Sequence, residues 1–170
     1  SLGIYEAKLN GKRVSDYVLA PGWTYYDKRL QYQTYDITDM LEAENELKVT
    51  VSRGWASSQM PGWKTSEDKI RRAAQPRLLL GEIHLAFEDG TEEVIATNES
   101  WLWGMSEIKF SEIYDGETVD AGYETTEWKG SVIADWSYDI LIPQEGEEIK
   151  EMERVFAKSI ITTPAGETVV

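Results

Sequence analysis

Apolar residues in this chain recur at every second position in short runs, and each run ends at a turn signal. Over 47–53, Leu47, Val49 and Val51 share one face while Lys48, Thr50 and Ser52 share the other, the period of a half-buried strand. Tyr5, Ala7 and Leu9 alternate with Glu6 and Lys8 ahead of Asn10-Gly11. That pair is the preferred type I′ turn, so residues 3–14 read as a hairpin. Leu79, Gly81, Ile83, Leu85 and Phe87 face inward along 77–87, Glu88-Asp89-Gly90-Thr91 turns the chain, and 94–97 returns antiparallel. Strand-sized pieces follow at 100–103, 108–114, 118–121 and 136–142. No stretch keeps a helical period long enough for a crossover, which argues against an α/β fold and for an all-β one. The expected architecture is an antiparallel β-sandwich or jelly roll.

Between these runs the segment 20–36 carries the densest mixture of aromatic, amide and charged residues. Pro21 and Gly22 bend the backbone; Trp23, Tyr25, Tyr26 and Arg29 follow at a sheet rim; 30–35 alternates as a strand. Asp36 or Thr38 caps one short helical turn. Residues 54–72 have no sustained period and read as a long loop, a length that compact domains usually keep for function or motion. Residues 1–143 form the expected sandwich, and 144–170 an acidic linker followed by a lead-in strand at 155–163. The apolar residues near both ends, and the absence of an initiator Met, read as cuts inside a longer protein, so localisation signals would lie outside this piece.

The chain has 170 residues, no cysteine, and 17 Lys+Arg against 31 Asp+Glu, for a net charge of −14. A chain this long buries roughly 70% of its unfolded surface and needs no disulfide to fold. Missing cysteine removes thiol catalysis and Cys-ligated zinc. The negative charge disfavours nucleic acid and anionic membranes as partners, and no apolar run approaches the length of a membrane span.

Three features bear on chemistry. Asp115, Glu117 and Asp120 form an acidic cluster, D-G-E-T-V-D. Two of its carboxylates would serve as a glycosidase acid and base, and three would hold Ca²⁺. Its spacing is not that of a calcium loop, however, and a solvated turn explains it as well, so no cofactor is expected. His84, the only histidine, sits on the polar side of its strand with no nucleophile elbow to serve. Trp and Tyr, seven and nine in number, exceed what one core needs. Trp23, Trp55 and Trp63 each follow a glycine in turn or loop sequence, where an exposed indole can stack on a sugar or cover the end of the sandwich as a lid. Trp101, Trp103 and Trp136 are expected in the core.

Read together, the motifs resemble the N-terminal β-sandwich module of bacterial α-L-rhamnosidases. The residues that carry the resemblance are YEAKLNGKRV at 5–14, LAPGWT at 19–24, RLQYQTYDIT at 29–38, Gly54-Trp55, ATNESW at 96–101 and IYDGETVDA at 113–121. They run in order over about residues 3–140. The tail 160–170 looks like the lead-in to the next sandwich domain of such enzymes. One departure stands at Asn98, where the family usually has Asp after the Thr.

The resemblance implies a galactose-binding-like jelly roll joined to an (α/α)₆ barrel that carries both catalytic carboxylates, in an inverting enzyme that releases terminal L-rhamnose. Neither carboxylate maps onto this chain, so no catalytic role passes to Asp115 or Glu117. The expected function is that of a non-catalytic accessory module that assists substrate recognition or carbohydrate binding. If it binds rhamnosylated glycans or glycosides, Trp55, Trp63 and Tyr25 would stack while Arg29, Gln31 and Asp115 or Glu117 bond the hydroxyls. The alternative is a structural domain whose rim docks on the catalytic barrel; a standalone hydrolase built on Asp115 and Glu117 is the remote third reading.

Overall fold

The computed structural model describes residues 1–58 and 75–169. Trp63 and residues 59–72 of the expected loop lie outside them. The described residues carry thirteen short strands, one four-residue α-helix and two single 3-10 turns, so the fold is all-β as expected.

The predicted N-terminal hairpin is present. β1 (Tyr5–Leu9) and β2 (Lys12–Arg13) pair antiparallel with Leu9 opposite Lys12. Asn10 and Gly11 have φ of 52° and 77°, both positive as a type I′ turn requires. Asn10 does more than turn the chain. Its Oδ1 accepts from the Glu46 N–H at 2.8 Å, and its Nδ2 donates to the Met40 carbonyl and to Asn45 Oδ1. The turn is thereby tied to the segment that leads into β4 (Leu47–Val51), which pairs antiparallel with β1 from Tyr5↔Val51 to Leu9↔Leu47. On β4 the expected face of Leu47, Val49 and Val51 is the half-buried one.

Downstream, β5 (Glu82–Ala86) and β6 (Glu92–Ala96) form the second expected hairpin. Asp89 Oδ1 holds its turn by accepting from the Thr91 N–H and hydroxyl. β7 (Leu102–Trp103) pairs with β10 (Lys129–Gly130), and β8 (Ile108–Glu112) with β9 (Gly116–Val119). β12 (Ile161–Thr162) and β13 (Thr168–Val169) close a last ribbon.

Four expectations need correction. First, the pairing is not wholly antiparallel: β3 (Leu30–Tyr32) runs parallel to β11 (Leu141–Pro143), Leu30 opposite Leu141. The long intervening chain supplies the reach a parallel pair needs without a crossover helix. Second, Gly54–Ser57 is a short helix, α1, rather than loop. Gly54 opens it with φ of 50°, and a Cβ there would lie 2.5 Å from the Ile4 N. Only glycine can sit in that conformation at that distance. Third, the strand expected over 155–163 is reduced to Ile161–Thr162. Fourth, Trp103 and Trp136 are exposed rather than core: β7 pairs only with the two-residue β10, so Leu102 and Trp103 are open on both faces of that ribbon, and Trp136 lies outside any strand. The short helical turn is at Thr38–Met40, and Asp36 Oδ1 braces it from just ahead by accepting from the Thr38 N–H and hydroxyl.

Leu2, Tyr26, Leu30 and Ala56 form a buried cluster, with Trp55, Leu78, Ile140 and Leu141 packed on it. Five separate segments therefore meet there: the N-terminus, the segment of Leu78 bridged to it, residues 20–30, α1 and the start of β11. Each buried aliphatic side chain contributes about 1.5–3 kcal/mol to holding them together.

The acidic stretch after Pro143 does not leave the body at once. The Gln144 N–H donates to the Tyr32 carbonyl, the Glu145 N–H to Gln31 Oε1, and the Val18 N–H to the Ile149 carbonyl. Lys150 then pairs with Asp16 and Glu148.

Candidate functional site

The expected bend at 20–22 is built from a cis Ala20–Pro21 peptide and Gly22 at φ 81°. Tyr26, buried beneath it, donates its hydroxyl to the Gly22 carbonyl at 2.6 Å. Trp23 is 62% exposed and Tyr25 59%, and Arg29 is exposed in the same turn. The turn is closed by the Arg29 N–H donating to the Tyr25 carbonyl at 2.9 Å, and by the Thr24 hydroxyl donating to the Arg29 carbonyl. Trp23, Tyr25 and Arg29 thus form one rim of two exposed rings and a cation.

The remaining candidates do not join them. Gln31 is buried, 8% exposed, and its carbonyl oxygen serves the Glu145 N–H. Trp55 is half-buried against the core cluster. Trp63 lies outside the described residues. Asp115 and Glu117 are exposed on the β8–β9 turn, where Glu117 accepts from the Ser111 hydroxyl at 3.1 Å. Among the described residues no hydrogen bond or ion pair connects that turn to the Tyr25 rim. His84 is exposed as expected, 2.9 Å from Glu82 on its own strand.

Two features escaped the sequence. Glu112 is buried, and its Oε2 accepts from the N–H groups of Tyr114 and Asp115. The turn that carries Asp115 is therefore organised by a different carboxylate, placed where a strand pattern expects an ordinary inward position. The second is a tyrosine cluster. The Tyr5 hydroxyl bonds Gln33 Oε1 at 2.9 Å and lies 3.0 Å from the Tyr35 hydroxyl, while Gln33 Nε2 donates to Gln144 Oε1 at 2.8 Å. Burial raises the pKa of Tyr5, and its bond with Tyr35 adds to the rise; burial also raises Tyr17 and Tyr35. These phenols line a shallow surface depression with Arg13, Ser15 and Ala20. Arg13 is neutralised there by Glu6 at 2.9 Å, so the depression presents hydroxyls and no net charge. No group of three or more metal-ligating side chains occurs among the described residues.

Comparison with known proteins decides the family. The model of the α-L-rhamnosidase N-terminal domain matches residues 1–153. The chain belongs to this family. An α-L-rhamnosidase of Streptomyces avermitilis is 39% identical over 129 residues, which are 75% of this chain and 12% of that protein. Among solved structures, the native α-L-rhamnosidase of Aspergillus terreus superposes with a TM-score of 0.85 at 31% identity, over 98% of this chain and 20% of that one. The Streptomyces avermitilis α-L-rhamnosidase complexed with L-rhamnose gives 0.80 at 30% identity, over 94% and 16%. The chain thus spans a fifth or less of these α-L-rhamnosidases, and it is the part that the family model describes as their N-terminal domain.

Proposed function

We propose that this chain is a non-catalytic module of an α-L-rhamnosidase, a glycoside hydrolase that releases terminal L-rhamnose, and that its main task is to pack against the rest of that enzyme. The observation that carries the reading is the distribution of exposed apolar side chains. Trp103, Trp128, Val132, Ile133, Val155 and Phe156 all lie open, more large apolar side chains than a module's own core explains, and exposed apolar surface of this kind marks interaction faces. The reading includes a galactose-binding-like jelly roll, supported by the all-β pairing, and a catalytic (α/α)₆ barrel elsewhere in the enzyme.

Asp115 and Glu117 lack what a glycosidase pair needs. Both are solvated on one hairpin turn, and neither is held in an apolar pocket that would keep one protonated as the acid. The test is direct. The chain is incubated with a chromogenic α-L-rhamnoside, and no turnover is expected; measurable turnover would overturn the reading.

A second reading, recognition of rhamnosylated glycans or glycosides, draws on the rim of Trp23, Tyr25 and Arg29, which offers ring faces and a hydrogen-bond donor together. Titration with L-rhamnose and with rhamnosylated flavonoids, followed by Trp fluorescence, examines it. No saturable change at millimolar ligand ends this second reading and leaves the first intact.

A further inference from the structure

Residues 141–150 leave the sandwich as a strap fixed at several points. β11 lies parallel to β3. Gln31 and Gln33, alternate side chains of one segment, hold Glu145 and Gln144. Tyr17 bridges to Lys150, whose ammonium pairs with Asp16 and Glu148 at 3.0 and 3.2 Å. Up to Lys150 the exit direction of the chain is therefore set by the module itself.

The next ten residues change character. None of residues 151–160 is in helix or strand, and their side-chain bonding is local, Arg154 pairing with Glu151. Met152, Val155 and Phe156 are 91%, 84% and 81% exposed, and Ile160 is also open. Four large apolar side chains within nine residues, presented to water at the end of a fixed strap, have no role in the module's own core.

Resting on the packing role proposed above, we infer that residues 152–160 are a docking segment for the domain that follows this module in α-L-rhamnosidases, with Val155 and Phe156 as its anchors. Continuity argues for that occupant. The family match ends at residue 153, inside the segment, and the 129 residues aligned with the Streptomyces avermitilis relative are 12% of that protein. Whatever follows the N-terminal domain in such enzymes meets these residues first. Charge defines the partner surface further. Glu148 is paired with Lys150 and Glu151 with Arg154, which leaves Glu145, Glu147 and Glu153 to give the approach its negative charge, so the receiving face is an apolar groove with a Lys or Arg rim. Paired anchors of this kind carry most of an interface's energy, while the surrounding charges set approach and register.

The experiment mixes the chain with the remainder of the Streptomyces avermitilis α-L-rhamnosidase, produced without its own N-terminal domain. Amide hydrogen exchange is followed across 151–162. Exchange over 152–160 is expected to slow at least about tenfold on mixing, more strongly at low salt than at high. The chain carrying Val155→Asp and Phe156→Asp together should keep its own unfolding temperature, since both side chains are open, and lose that protection. Association with protection elsewhere overturns this inference while sparing the packing role. Protection that appears on concentrating the chain alone assigns the segment to a second copy and also overturns it. No association at all overturns both.

Discussion

Gln31 and Glu145, 114 residues apart in the chain, are joined by a hydrogen bond of 2.7 Å from the Glu145 N–H to the Gln31 side-chain carbonyl. The side chain is buried, so its oxygen is withdrawn from any ligand and committed to the exit strap. Gln33, two residues on, adds a second tie, its Nε2 donating to the Gln144 side-chain oxygen at 2.8 Å. Two amides thus fix where the C-terminal segment leaves the sandwich.

Gln31→Ala should release this clasp. It strands the Glu145 N–H and leaves a small cavity, a loss of about 1–3 kcal/mol, or roughly 2–12 °C in unfolding temperature for a chain of this size. Urea denaturation measures the stability, and hydrogen exchange at 144–150 should rise more than at β1. Uniform acceleration across the chain would argue against a local clasp.

Alkaline pH should destabilise the fold through the tyrosine cluster. Tyr5, Tyr17 and Tyr35 have folded pKa values raised above the ordinary phenol value of 10.0, chiefly by burial. Below pH 10 both folded and unfolded states keep these protons and the contribution to stability is whole. Above it the unfolded chain releases them while the folded chain retains them, so stability falls as pH rises towards the folded values. Denaturant midpoints between pH 9 and 11 check the sign. Tyr5→Phe combined with Tyr35→Phe should flatten the fall, even though it lowers stability at neutral pH.

Gly54→Ala should be disruptive out of proportion to one methyl group. The positive φ alone costs about 1–2 kcal/mol for any L side chain, and the new Cβ would press on the backbone N of Ile4. Gly90→Ala provides the comparison, since its φ is 84° with open space around it. It should lose only the conformational cost. Equal losses at the two sites would show that the approach of α1 to Ile4 is not tight.

Glu112→Ala should loosen the β8–β9 turn. Two N–H groups lose a carboxylate acceptor, and charged hydrogen bonds of this kind are worth about 1.5–3 kcal/mol. Asp115→Ala, exposed on the same turn, should change stability by no more than about 0.5 kcal/mol. Thermal unfolding of the two variants side by side reads the difference.

The local structure was legible where a single segment contains its own reason. Asn10-Gly11 specifies its turn, Leu47–Val51 its inward face, and Asp89 to Thr91 its hairpin. The family, too, was written in the order of its motifs. The candidate site was legible only in part. Tyr25 and Arg29 were marked by residue type and are both exposed in one turn, but Gln31 carries the same chemistry and is buried. Trp103 was expected to fill the core, and Trp23 either to stack on a sugar or to cover the end of the sandwich; both are open.

By itself the sequence determined an all-β chain, its main hairpins, the absence of a recognisable catalytic motif and its kinship with the α-L-rhamnosidase N-terminal domain. Only the tertiary structure decided that β11 returns parallel to β3, that Glu112 rather than Asp115 organises its turn, and that 144–150 is strapped to the body. The reason is physical. A period of two assigns side chains to faces and turn residues fix local geometry, but whether a face meets protein or water depends on segments more than a hundred residues away.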